Sequence, residues 1–498
     1  MKFNYKSNLI PILWLVMNHA IAENQPYKAS WQQFRGPAAN SIAFDQNIPA
    51  DLISEKNLIW KTQIPKGHSS PCIWEDKIFL TGYYQNAFQI MCLDRKTGKK
   101  IWGQSREMPE LGRYDHVAAA PANPTPTTNG KTVLFYFDDY GLIATDLDGA
   151  IQWEKKMSST NNSFSYGASP IIVDNKILLN RDGGLDSSLL CLDLKSGTEV
   201  WRAMRPDMIP SFCTPYFTES NGEELILSGG SSQLVAYSLR SGEEKWNVTG
   251  LPSFVCPSPT ASNGVIVFGG WTTAHVSGKT RVESTFGEDS GVSEVALQNP
   301  ESFFQEFDTD KDGKLTKSEF PPSRAKDAFN WFDSNANGFV SLNELSILYS
   351  ETDIAPGRNV IVGIKQGGNG DITKTNVLWE LRRGLPYVAS PLVVNEKVYL
   401  FAKGGYATCV NLQTGKPYYL KERLGIGGEY YASPIAVDNK IIVCSHRGTV
   451  FFLAQSENFK LLRSVDLGEK VFATPAVVDS KLYIRSSDHL WAWGNHVN

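Results

Sequence analysis

Short apolar runs recur along the chain, and a Ser/Thr-Pro pair opens each one. The pairs are Ser70-Pro71, Thr125-Pro126, Ser169-Pro170, Thr214-Pro215, Ser258-Pro259, Ser390-Pro391, Ser433-Pro434 and Thr474-Pro475. Most successive copies lie 41 to 45 residues apart, the period of a four-stranded propeller blade. Two intervals are longer. The one from Pro71 to Pro126 leaves room for an extended loop, and the one from Pro259 to Pro391 holds a large insertion. Within a unit the pattern is constant. An apolar triplet such as Ile171-Ile172-Val173 meets a polar turn, Asp174-Asn175-Lys176, and a second apolar run, Ile177-Leu178-Leu179. A third run reaches Leu192-Asp193, turns at Ser196-Gly197 and ends in a fourth run at Trp201. Short apolar runs between Gly, Asn and Asp turns predict β-strands.

The third-to-fourth-strand pattern is Leu-Asp-x-x-Thr/Ser-Gly-x-x-x-Trp. It is complete from Leu93 to Trp102 and from Leu192 to Trp201, and weaker from Tyr237 to Trp246 and from Val410 to Tyr419. A shorter version runs from Asp146 through Gly149 to Trp153. A large ring repeated at one place in each unit predicts packing between neighbouring blades rather than ligand binding. Eight starts predict an all-β, eight-bladed propeller of four-stranded blades. The last unit, from Thr474 to Trp493, is too short for four strands. The orphan segment Asn57-Leu58-Ile59-Trp60-Lys61 is therefore expected to complete it and close the ring, which removes open sheet edges.

The insertion in the fifth blade carries a different chemistry. Asp308 to Glu319 reads DTDKDGKLTKSE, and Asp333 to Glu344 reads DSNANGFVSLNE. Both fit the calcium-loop pattern D-x-[DN]-x-[DN]-G-x5-E. In the first loop Asp308, Asp310 and Asp312 offer side-chain oxygens, Lys314 its carbonyl, Thr316 the water-bridged position and Glu319 both carboxylate oxygens. In the second, Asp333, Asn335, Asn337, Phe339, Ser341 and Glu344 take the same roles. Asn299 with Pro300 predicts a capped helix start before the first loop. Phe303, Phe304 and Phe307 form an apolar stripe at helical spacing, as do Ala328, Phe329 and Phe332 and then Leu342, Leu345 and Leu348. These stripes predict a compact core for the EF-hand pair itself, and Pro321-Pro322 predicts an early end to the helix leaving the first loop. The domain reading is thus a first propeller part over 23–295, the EF-hand pair over 296–352 and a second propeller part over 353–498.

Composition adds the compartment and excludes some partners. Lys2 and Lys6, the apolar run Leu9 to Met17 and Ala20-Ile21-Ala22 read as a cleavable export signal over 1–22, with the mature chain starting at Glu23. The apolar run is too short to span a bilayer, and no later stretch is long enough. The expected location is secreted or periplasmic, without a lipid-anchor Cys at the cleavage site. A net charge of −4 over 498 residues gives no footprint for nucleic acid. The seven Cys sit singly in apolar runs and read as small buried hydrophobes. Cys213 and Cys256 fall near one point of consecutive repeats, which leaves a disulfide between them open.

The eight-fold pattern resembles the PQQ-like β-propellers, which include quinoprotein alcohol dehydrogenases and the propeller subunit of the outer-membrane β-barrel assembly machinery. The resemblance covers residues 31–498 apart from the insertion. Trp31-Gln32-Gln33-Phe34-Arg35-Gly36-Pro37 looks like the mature start of secreted bacterial members. Gly370-Asp371-Ile372-Thr373-Lys374-Thr375 and Tyr430-Tyr431-Ala432-Ser433-Pro434 resemble their later segments. Many dehydrogenases of the family carry adjacent cysteines beside the quinone, whereas no two Cys are adjacent here and no C-x-x-C-H haem motif occurs. The axial calcium, Asp and Arg of those enzymes find no matching motif either. Calcium is the expected cofactor. The favoured reading is a non-catalytic exported propeller binding a protein, glycan or small ligand at a propeller face. The alternative is a PQQ-dependent oxidoreductase acting on an alcohol or sugar.

Overall fold

The computed structural model describes residues 30–43, 48–108, 118–160, 166–183, 187–205, 211–272, 291–321, 326, 329–333, 337–349 and 357–495. The expected export signal lies outside them. Eight antiparallel blades form the propeller, and a separate two-stranded ribbon belongs to the insertion. The inner three strands of a blade are almost wholly buried; Thr132–Phe137, for example, is buried at every position. That explains the continuous apolar runs, since both faces pack on neighbouring blades. The outermost strands alternate between exposed and partly covered positions, as Lys100–Glu107 does.

The ring closes as the truncated last unit requires. Leu58–Gln63 pairs antiparallel with His489–Trp493, giving the eighth blade its fourth strand beside Lys481–Arg485 and Ala476–Val478. Each Ser/Thr-Pro pair has a structural task. The N–H of the Ser or Thr donates to the hydroxyl of its counterpart in the next blade, at 2.9–3.0 Å, from Ser70 through Thr125 and Ser169 to Thr214 and from Ser258 through Ser390, Ser433 and Thr474 back to Ser70. The remaining position is the seam between the fourth and fifth blades. There Ser258 Oγ has no hydrogen-bond partner among the described residues.

A second fastener explains the recurring Trp and the turn glycine together. The indole N–H of Trp153 donates to Leu194 O of the next blade at 3.0 Å, and the ring lies on Gly197. That glycine has φ +68°, and a Cβ there would stand 2.8 Å from the indole. Both the left-handed backbone and the missing side chain are used. Trp102, Trp201 and Trp379 repeat the contact on Leu147, Leu239 and Leu412. The fourth blade differs at its outer edge. Gly370–Asp371 adds a short parallel strand beside Trp246 and Asn247, so the segment Gly370 to Thr375 serves to cover that edge.

The N-terminal segment crosses the propeller axis. Ser30–Trp31 joins the inner strand of the first blade, and Ile42–Ala43 joins that of the seventh in parallel. Between them the fully buried Arg35 donates to Pro259 O, Thr260 Oγ1 and Pro391 O of the fifth and sixth blades. The insertion leaves the fifth blade between Val265–Gly270 and Val360–Lys365, strands that remain paired across it. Among the described residues no helix is long and apolar enough to cross a membrane.

Candidate functional sites

The insertion folds around its own core, as its stripes predict for all but Ala328, which lies outside the described residues, and Leu348, whose side chain does too. Phe303, Phe304, Leu315, Phe320, Phe329, Phe332, Val340 and Leu345 are buried against one another. Pro300–Phe307 begins at Asn299, whose side chain accepts the N–H of Ser302 at 2.9 Å. The two loops meet through an antiparallel ribbon that sets Lys314 opposite Ser341 and Thr316 opposite Phe339. Leu315 and Val340 form its buried middle. The two carbonyls expected to face a cation therefore lie on paired strands. Lys314 turns its ammonium over the Phe339 ring at 4.3 Å, which keeps that charge on a ring face.

In the first loop the carboxylate oxygens of Asp308, Asp310 and Asp312 lie within 4.8 Å of one another. Gly313, at φ +76°, makes the sharp turn, and its N–H donates to Asp308 Oδ2 at 2.9 Å. Asp308 Oδ1 is shut off from solvent with no hydrogen-bond partner among the described residues. Such an orphaned oxygen wants a cation, because burying it unsatisfied is costly. Glu319 folds back to close the loop. Its Oε2 accepts from the N–H and hydroxyl of Thr316, both at 2.8 Å, and its Oε1 accepts from Thr309. These donors, the Thr316 N–H foremost, hold the Glu319 carboxyl down to about 2.

The second loop has the same plan with fewer charges. Asp333 accepts the N–H groups of Asn337 and Gly338, each at 2.9 Å. Glu344 accepts the N–H and hydroxyl of Ser341 at 2.8 and 2.7 Å. Asp333 and Glu344 are buried, and Asn335 lies outside the described residues. Hard oxygen donors at this spacing fit calcium in both loops.

A second site lies on the propeller axis and was not anticipated. A cavity of about 200 Å³ opens there, with Phe34 of the axial segment among its lining residues. Its wall follows a rule in the repeat: the residue two before each Ser/Thr-Pro faces the axis. In blade order these are His68, Asn123, Gly167 and Phe212, then Cys256, Val388, Tyr431 and Phe472. Six of the Ser/Thr residues that follow, Ser70, Thr125, Ser169, Thr214, Ser433 and Thr474, line the same cavity. No charged side chain belongs to it. His68 is neutral, because burial and then Arg485 push its imidazole down to about 4. Burial pushes the Cys256 thiol up to about 12. Neither Cys213 nor Cys256 is in a disulfide; all seven cysteines are free thiols.

Comparison with known proteins agrees with this architecture. A family model described as outer membrane protein assembly factor BamB matches residues 53–203 and 185–270, and an EF-hand model matches 301–320. The chain is an eight-bladed β-propeller that is similar to the BamB-like repeat family over 53–270 and carries an EF-hand match in its insertion. Quinoprotein alcohol dehydrogenase PedH of Pseudomonas putida is 28% identical over 172 residues, 32% of this chain and 28% of that protein. Quinoprotein ethanol dehydrogenase of Pseudomonas aeruginosa is 26% identical over 175 residues, 33% of this chain and 26% of the relative. The match thus spans little more than a quarter of either dehydrogenase. Among solved structures, BamB from Moraxella catarrhalis superposes with a TM-score of 0.53 at 12% identity, covering 88% of this chain and 99% of that one. A europium-containing methanol dehydrogenase gives 0.58 at 10% identity, covering 94% and 98%. At such identities the likeness concerns the fold.

The dehydrogenase relatives make PQQ the cofactor to test against these residues. PQQ is a polycarboxylated quinone, and a buried anion needs cationic partners. The eight-residue axial ring offers none, and its one imidazole is held neutral. Among the described residues, the axial cavity does not fit that cofactor.

Proposed function

We propose that this chain is an exported, calcium-binding propeller that holds a ligand and does not turn one over. The observation that carries the binding half is the uncharged axial ring, which supplies no cation for the carboxylates of a quinone cofactor. The calcium half rests on two tandem loops, the first with three carboxylates gathered, joined by a ribbon whose middle is buried. Export rests on the basic start, short apolar run and Ala-x-Ala of the first 22 residues. A specific observation favours the alternative of a PQQ-dependent oxidoreductase acting on an alcohol or sugar, namely the stretch shared with two quinoprotein dehydrogenases.

The calcium reading predicts an affinity split. Loop one offers four carboxylates, Asp308, Asp310, Asp312 and Glu319, whereas loop two offers Asp333 and Glu344 with neutral Asn335 and Asn337. Charge count is a main control on EF-hand affinity, so loop one should bind more tightly. By calorimetry, Glu319→Gln should abolish the tighter site and Glu344→Gln the weaker one. The reverse assignment would defeat the charge argument. Extracellular EF-type modules work at dissociation constants of about 10⁻⁴–10⁻³ M, so a structural role suits an exported protein. Chelation should loosen the insert and leave the propeller's unfolding transition in place, since no predicted ligand comes from a blade.

A further inference from the structure

We propose that the seam between the eighth and first blades receives an extended segment of a partner protein, which adds a fifth strand to the eighth blade and buries an aliphatic side chain. The site lies on the rim, apart from the axial cavity. A cavity of about 340 Å³ opens there between Thr62, Gln63 and Ile64 of the eighth blade and Met91, Leu93 and Gly103 of the first. Leu58–Gln63 is the outermost strand of its sheet, so one of its edges has no strand beside it among the described residues. The chain fills the corresponding place at another seam with its own residues. Between the fourth and fifth blades, Gly370 and Asp371 pair in parallel with Trp246 and Asn247. Ile372 follows and donates its N–H to Asn247 O at 2.9 Å. Its side chain is buried in one cluster with Val362 and Ile364, against which Val377 packs. The two seams match residue by residue. Trp60 and Lys61 stand where Trp246 and Asn247 do. Leu93 is paired with Lys100 as Ile364 is with Val377, and Met91 with Gly103 as Val362 is with Glu380. Ile372 thus fills at one seam the counterpart of the space that is open at the other. Gly103 helps keep it open. Lys61, Glu154, Arg202, Asn247 and Glu380 follow the other outer-strand tryptophans, whereas Trp102 is followed by glycine. A glycine within a strand marks a place where another backbone comes close. In strand addition the main chain supplies affinity, and a pocket for one side chain supplies selectivity. Lys100 is the one charged residue in the cavity wall and is exposed. It suits an acidic residue beside the aliphatic anchor, as Asp371 stands beside Ile372.

The probe is a fluorescein-labelled peptide, Gly-Asn-Gly-Asp-Ile-Thr-Lys-Thr, copied from residues 368–375. The control is the same peptide carrying Ile372→Asp. Both are titrated with the full-length, calcium-loaded protein by fluorescence anisotropy. Two protein variants alter the seam. Gly103→Leu fills the cavity, and the nearest atom to a Cβ there is Lys100 Cδ at 3.4 Å, an ordinary contact, so this variant is expected to fold. Lys100→Glu reverses the charge at an exposed position. Each variant is first checked for cooperative unfolding at the wild-type midpoint. The inference predicts saturable binding of the peptide to the wild type. It predicts at least ten-fold weaker binding for Gly103→Leu and for the control peptide, and a several-fold loss for Lys100→Glu. Absent or non-saturable binding, equal affinity for the two peptides, or unchanged affinity in either folded variant would overturn it. Saturable binding of decanoate without binding of the peptide would make the cavity a small-molecule site and overturn it as well. None of these outcomes touches the calcium loops or quinone retention, so the reading of the chain as a non-catalytic calcium propeller stands or falls separately.

Discussion

Replacing Trp60 by Ala is expected to lower the stability of the propeller by about 3–5 kcal/mol, the usual cost of deleting a large buried aromatic. Trp60 precedes the first Ser/Thr-Pro unit in sequence and belongs to the last blade in space. It is 9% exposed. Its indole N–H donates to Arg95 O at 3.1 Å, and its ring lies on Gly98, where a Cβ would come within 2.6 Å. This is the contact Trp153 makes on Leu194 and Gly197 one blade at a time, here made across the seam where the chain's two ends meet. The variant therefore loses buried area, a hydrogen bond and the packing of the closing strand together. Arg95 crosses the same seam in the other direction, with Nη2 2.7 Å from Asp479. A denaturant-midpoint shift equivalent to less than about 1 kcal/mol would show that Leu58–Gln63 is peripheral and that the ring is held shut elsewhere.

A loss of similar size, about 3–5 kcal/mol, is expected for Arg205→Leu, because removing one member of a buried ion pair strands the other. Arg205 and Asp182 are 1% and 0% exposed at their side chains and pair through two nitrogens, at 2.7 and 3.0 Å. Arg205 also donates to the Tyr237 hydroxyl of the fourth blade at 2.8 Å, and Ser211 donates to Asp182 at 2.6 Å. The pair thus ties the third blade to the fourth. The double variant Asp182→Leu/Arg205→Leu should recover part of the loss, since neither charge is then left alone. Equal losses in the single and double variants would mean that packing, not charge pairing, sets the cost at this seam.

What could be read from the sequence follows from what repeats. The spacing of Ser/Thr-Pro set the number of blades, and the shortness of the unit after Thr474 pointed to Leu58–Gln63 as its missing strand. Both loops of the insertion were legible because calcium fixes residue types at fixed intervals. The axial ring was not seen, although each member stands two residues before a Ser/Thr-Pro. Its members are His, Asn, Gly, Phe, Cys, Val, Tyr and Phe, so no repeat signal marks them, and their common position emerges only when the blades stand around one axis. Trp31 to Pro37 read as a chain start, and its path across the axis depends on Arg35 reaching the fifth and sixth blades, more than two hundred residues away in sequence. The Arg205–Asp182 pair was equally hidden, since nothing local marks two charges 23 residues apart as partners. Cys213 and Cys256 fell near one point of consecutive repeats, yet both remain buried or partly buried thiols.

The reading of this propeller as a non-catalytic calcium-binding protein is tested most directly by reconstitution. The purified full-length chain is incubated with PQQ and calcium, freed of unbound quinone, and assayed for retained quinone absorbance and for dye reduction dependent on added alcohol or sugar. The uncharged axial ring predicts neither signal. Retained quinone together with substrate-dependent dye reduction would contradict the account and make the chain a quinoprotein oxidoreductase.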